Sequence, residues 1–107
     1  MAEYRLKKTV GKRQLIRNGF RHQIDDTYIY RKSIYKDLMS LVITVIYDRE
    51  DEEYFMNMKF INDYNGSEYP SYCQYGRNDF LKLLLNRRKR ILNQFIKKGI
   101  IEIVEED

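Results

Sequence analysis

The residues of this chain best suited to chemistry are its cations. The segment 78–99, NDFLKLLLNRRKRILNQFIKKG, carries Lys82, Arg87, Lys89, Arg90 and Lys97 with no acid after Asp79. A face of lysine and arginine can neutralise phosphates, and binding of that kind weakens steeply with salt. A second acid-free run, residues 5–21, holds Lys12, Arg13 and Arg17 among its cations. Tyrosine is the other candidate. The chain has ten Tyr, five Phe and no Trp. Tyr28 and Tyr30, on an open sheet face, could stack bases as single-strand binders do.

Most catalytic constellations are missing. The chain has one His and one Cys, His22 and Cys73, too few for the usual zinc set of four nitrogen or sulfur ligands. The acidic stretch DREDEE, residues 48–53, lacks the glycine and spacing of a calcium loop. No metal is expected. Glycines stand at 11, 19, 66, 76 and 99 and form no phosphate-cradling motif, so no cofactor is expected either. Thiol catalysis would need a base beside Cys73, and His22 lies on another segment. A small basic ribonuclease could work with His22, Tyr28, Tyr30, Arg31 and Tyr75, but no spacing singles these out.

The chain therefore reads as a non-catalytic binding protein. The first expectation is docking on nucleic acid or a nucleoprotein complex through the basic helix face. The second is an inhibitor or adaptor that binds a host protein, since Tyr, Met and Arg are enriched at interface cores. A ribonuclease toxin is the third. DNA-reading motifs are lacking: there is no zinc finger, basic zipper, clear helix-turn-helix or RNP pattern.

Composition sets the frame. At 107 residues, 43% hydrophobic and 34% charged, the chain is expected to form one domain, 1–107, with a modest core. The formal net charge is +4. A lone cysteine suits a reducing cytoplasm. The N-terminus has no apolar signal core, and no apolar run approaches the ~20 residues of a membrane span. A cytoplasmic protein with no membrane contact is expected; composition leaves the oligomeric state open. In size and composition (rich in Lys, Ile, Asn and Tyr, with one Pro and no Trp) the chain is similar to small accessory proteins carried by phages and mobile elements of low-GC bacteria. Among these are proteins that block host defence nucleases. The likeness involves no motif.

These residues must be positioned by elements the pattern also predicts. On a helical wheel at about 100° per residue, Phe80, Leu81, Leu84, Leu85, Ile91, Leu92, Phe95 and Ile96 fill an arc of roughly 160°. Asn78 and Asp79 can cap this helix, and Gly99 can end it. Leu83 falls among the polar residues. Arg88 falls within the apolar stripe. Burial of an unpaired guanidinium is too costly, so Arg88 must pair with a carboxylate, reach water or mark a cleft. Glu53, Asp63, Glu68 and Glu102 are the partners within the domain.

Upstream, residues 10–18 read as a short helix stopped by Gly19, with Lys12, Arg13 and Arg17 outward. Residues 1–8 form an edge strand or an arm, and 21–26 a polar turn. Residues 27–35 alternate as a strand, with Tyr28 and Tyr30 on one face and Ile29, Arg31 and Tyr35 on the other. Residues 40–47 are apolar on both faces and form a central strand. Residues 53–61 place Tyr54, Met56, Met58 and Phe60 on one face, which is the expected bed for the long helix. Asn65-Gly66 signals a tight hairpin. Residues 68–75 form an edge strand interrupted by Pro70, and 100–104 a last strand or a packed tail. The predicted fold is α+β: an antiparallel β-meander of three to five strands, with a short N-terminal helix and a long C-terminal helix packed on one sheet face.

Overall fold

The computed structural model describes residues 3–69 and 79–104. The fold is α+β. A five-stranded antiparallel sheet follows chain order: β2 (Arg21–His22), β3 (Thr27–Tyr35), β4 (Met39–Asp48), β5 (Glu53–Asn62) and β6 (Glu68–Tyr69). It is preceded by β1 (Glu3–Leu6) and α1 (Lys12–Arg17), and followed by α2 (Asp79–Lys97) and β7 (Ile101–Val104). β1 and β7 pair with each other in a separate two-stranded ribbon. The expected caps at Asn78 and the strand 70–75, with Cys73 and Tyr75, lie outside the described residues.

β4 is central because its side chains are apolar on both faces. Leu41, Ile43 and Val45 are fully buried on one face, and Val42 is buried on the other. Cross-strand partners share a face, so the pairings Leu41↔Phe60, Ile43↔Met58 and Val45↔Met56 continue the inner face onto β5. Tyr28↔Val45 and Tyr30↔Ile43 continue it onto β3. The register shifts between Ser33 and Tyr35. That β-bulge reverses the alternation. Tyr35 pairs with Met39 and joins the inner face, where its ring meets Phe80 edge-on at 4.9 Å. Simple alternation from Ile29 had placed it on the opposite face.

Both helices end in a Schellman motif. In α1, Gly19 N–H donates to the Ile16 carbonyl and Phe20 N–H to that of Leu15. In α2, Gly99 donates to Ile96 and Ile100 to Phe95. Gly19 and Gly99 adopt φ of 98° and 76°, the left-handed conformation this turn requires. A Cβ on Gly19 would also press on the Tyr30 ring at 3.2 Å. Each glycine delivers the next residue into the core: Phe20 and Ile100 are buried.

The bed of α2 differs from the expected one. The helix approaches β3 and β7, and β1 approaches β5. Phe95 meets Tyr30 of β3 at 5.0 Å. The Tyr54 hydroxyl donates to the Val10 carbonyl at 3.0 Å, so Tyr54 lies under the segment between β1 and α1. Of the β5 residues taken as the bed of α2, Phe60 meets it through Arg88, whose guanidinium lies 5.8 Å from the ring centroid. The β1–β7 ribbon, closed by residues far apart in sequence, takes up space that the long helix was expected to fill.

Two turns also depart from expectation. Residues 21–26 hold the short strand β2, which pairs with β3 through Arg21↔Ile29 and His22↔Tyr28. The Asn65-Gly66 pair does not make a two-residue hairpin. Asn62 organises loop 63–67 instead: its side-chain oxygen accepts from Tyr64 N–H at 2.8 Å, and its carbonyl accepts from Gly66 N–H.

Candidate nucleic-acid interface

α2 has one face in the core and one in solvent. Leu81, Leu84, Ile91, Leu92 and Phe95 are buried. Lys82, Lys89, Arg90 and Lys97 are exposed, interleaved with Asn86 and Asn93. At about 1.5 Å per residue the cations span roughly 22 Å of helix. None of the four forms an ion pair among the described residues, and no acid stands between Phe80 and Lys98. The result is a rigid stripe of uncompensated positive charge on a helix whose orientation is set by its buried side.

Arg87 does not belong to that stripe. It is half-buried, donates to the Ile34 carbonyl and lies over the Tyr35 ring, 5.7 Å from its centroid. Its fork is used in closing the helix onto β3. Wheel position alone had grouped it with the free cations.

Arg88 takes the second of its three courses. None of Glu53, Asp63, Glu68 and Glu102 pairs with it among the described residues. Asp63 instead accepts from Arg31 at 2.7 Å and from the buried Ser40 hydroxyl, and these bonds hold its carboxyl below the usual carboxylate range, Arg31 foremost. Glu102 pairs with Arg5 at 2.9 Å. Arg88 rests on the Phe60 ring, 5.8 Å from its centroid, and burial pushes the guanidinium pKa down. No buried side-chain nitrogen or oxygen among the described residues lacks a partner, so the Arg88 head is wetted while its stem packs. An unpaired, partly desolvated charge contributes little that a thioether would not. Arg88→Met is therefore expected to leave stability unchanged or raise it by about 1 kcal/mol, as read by urea unfolding. A loss of more than that would reveal a charge partner.

The N-terminal cations stand on α1. Lys12, Arg13 and Arg17 are exposed on α1. Phe20, just past the end of α1, meets Phe95 at 5.7 Å, which places the last turn of α1 beside the last turns of α2.

Tyr28 and Tyr30 face the core, not solvent as expected. Tyr28 is 3% exposed. Tyr30 is packed between Phe20 and Phe95, and burial raises the pKa of its phenol. Their rings belong to the core and are not free to stack on bases. They alternate inward because the inner face of β4 is the one that α2 covers. The outer face carries Ile29, Thr44, Ile46 and Phe55 instead. His22 bonds the Asp25 carbonyl with its ring 5.0 Å from Tyr28, and Arg31 is engaged with Asp63. No group of three His, Cys, Asp or Glu among the described residues could hold a metal. No helix among the described residues is long and apolar enough to cross a membrane.

The architecture, then, is that of an α+β protein with a meander sheet and a C-terminal helix. No protein-family model and no curated protein matches the sequence. Among solved structures, the fold is similar to the crystal structure of a DUF1831 family protein from Lactobacillus plantarum, with a TM-score of 0.70 and 21% identity. The match covers 97% of this chain and 89% of that one. At that identity the likeness is one of fold.

Proposed function

We propose that the protein is a small non-catalytic binding protein of the cytoplasm that docks on nucleic acid or a nucleoprotein complex through the exposed face of α2. In this reading the short helix α1 and the long helix α2 close one face of the sheet and hold their cations outward together. Lys82, Lys89, Arg90 and Lys97 meet backbone phosphates, and Lys12, Arg13 and Arg17 extend the contact. The observation that carries the reading is the charge of that stripe: four exposed cations with no ion partner among the described residues, on a helix locked in place from below. Such a stripe reads phosphate rather than sequence, so little preference among bases is expected.

The test is retention on single-stranded DNA and on heparin, wild type against the double reversal Lys89→Glu/Arg90→Glu, across a salt series. Loss of retention on reversal, with binding that weakens steeply as salt rises, supports the proposal. Retention indifferent to the reversal would sink it. A single stoichiometric protein recovered after nuclease treatment, without nucleic-acid retention, would favour the inhibitor or adaptor reading instead.

A further inference from the structure

Among the described residues no helix lies on the outer face of the five-stranded sheet, and its side chains form an ordered charge pattern. Register places Asp48 beside Glu53 in one row, and Ile46 beside Phe55 in the next. Thr44 and Asn57 follow, flanked by Ile29. Then comes a row of Arg31, Val42 and Lys59. The face therefore runs from two carboxylates, through apolar and neutral side chains, to Lys59, beside which Arg31 is already neutralised by Asp63. Ile46 is 46% exposed and Phe55 53%, and both line a shallow groove of about 350 Å³ with Lys59. Neither Glu53 nor Lys59 has an ion partner among the described residues.

This order is complementary to itself. A two-fold axis lying parallel to the sheet, perpendicular to the strands and midway between the Ile46/Phe55 and Thr44/Asn57 rows, lays each strand over its own copy, reversed. Asp48 and Glu53 are separated from Val42 and Lys59 by about 20 Å of strand at roughly 3.3 Å per residue, and the axis bisects that span. Glu53 of one copy then faces Lys59 of the other, Asp48 faces Val42, and Phe55 and Ile46 close over Asn57 and Thr44. Opposed sheets pack with their strands within about 30° of alignment, which such a stacking satisfies. An isologous contact needs one patch to match itself under rotation, and this one does so in charge through Glu53 and Lys59.

We propose that the protein forms a symmetric dimer by stacking these outer sheet faces, with Glu53 and Lys59 as the reciprocal ion pair. Both α2 basic faces then point outward, one on each side of the dimer.

Light scattering and sedimentation velocity on the full chain test it. The wild type is expected to dimerise with a dissociation constant on the order of 10 μM, as suits a small interface. Glu53→Lys alone sets lysine against Lys59, and Lys59→Glu alone sets glutamate against Glu53. Each is expected to weaken the dimer about tenfold or more. Mixed in equal amounts, the two variants should recover wild-type affinity, because both reciprocal pairs are then opposite in sign. That recovery also shows that each variant is folded. A wild type monomeric at all concentrations, a dimer indifferent to both reversals, or variants that fail to associate on mixing would each overturn the proposal.

Discussion

Replacing Phe95 with alanine is expected to destabilise the protein by about 3–5 kcal/mol. The ring is 4% exposed. It meets Tyr30 edge-on at 5.0 Å and Phe20 at 5.7 Å, so three elements converge on it: α2, β3 and the end of α1. Truncation leaves a cavity that Tyr30 and Phe20 cannot close without moving strand or turn backbone. The aromatic contacts, each worth about 0.5–1.5 kcal/mol beyond burial, are lost with it. Domains of this size have roughly 5–15 kcal/mol in total, so the midpoint in urea should fall sharply. Tyr64→Ala is the comparison. Its ring is 82% exposed, and the same truncation should cost less than about 1 kcal/mol. Equal effects at the two sites would mean that α2 is not seated on Tyr30.

The second large effect is on binding. If Lys82, Lys89, Arg90 and Lys97 each neutralise one phosphate, the log–log salt slope for single strands is about −3. Affinity then falls by roughly fiftyfold between 50 and 200 mM salt. Reversing Lys89 and Arg90 removes half of those contacts and adds two repulsions. The expected loss at low salt is about a hundredfold or more, and the residual slope should be about half. Arg87→Ala should behave differently. Arg87 donates to the Ile34 carbonyl and covers the Tyr35 ring, so its removal should lower stability and leave the slope unchanged. A slope that drops equally with Arg87→Ala would place the phosphates elsewhere.

The outer sheet face and the exposed face of α2 share no residues. Glu53 and Lys59 stand on β5, under no part of α2's exposed stripe. Charge reversal on one surface therefore should not register on the other, unless two copies must bind together. A dimer would then raise nucleic-acid affinity through avidity, and only the Glu53/Lys59 variants would show binding that recovers on mixing.

Much of the architecture was legible in one dimension. The 3.6-residue period of α2, the doubly apolar run of β4 and the alternation in β5 come from neighbours along the chain. Local sterics and burial act on them directly. So do the glycine stops after each helix, because the left-handed turn is a demand on a single residue. Arg88 announced itself as an anomaly for the same reason: its angle on the wheel is a local quantity.

What the residues around it would be was not local. Arg88 rests on Phe60 of the inner face, while Asp63 bonds Arg31 and Ser40 on the outer face and Glu102 pairs with Arg5, and no spacing along the chain gives these placements. Arg87 and Lys89 look equivalent in the sequence, yet one reaches a carbonyl on β3 and the other reaches solvent. The bulge after Ser33 moved Tyr35 across the sheet, and no turn residue advertised it. The β1–β7 ribbon joins the two ends of the chain and took the space over β5. By itself, then, the sequence determined the elements, the amphipathic faces and the basic character of α2, since these follow from spacing between near neighbours. Only the tertiary structure decided which face of the sheet is covered, which tyrosines are core and which cations are free, since these depend on long-range closure that brings distant residues into competition for the same partners.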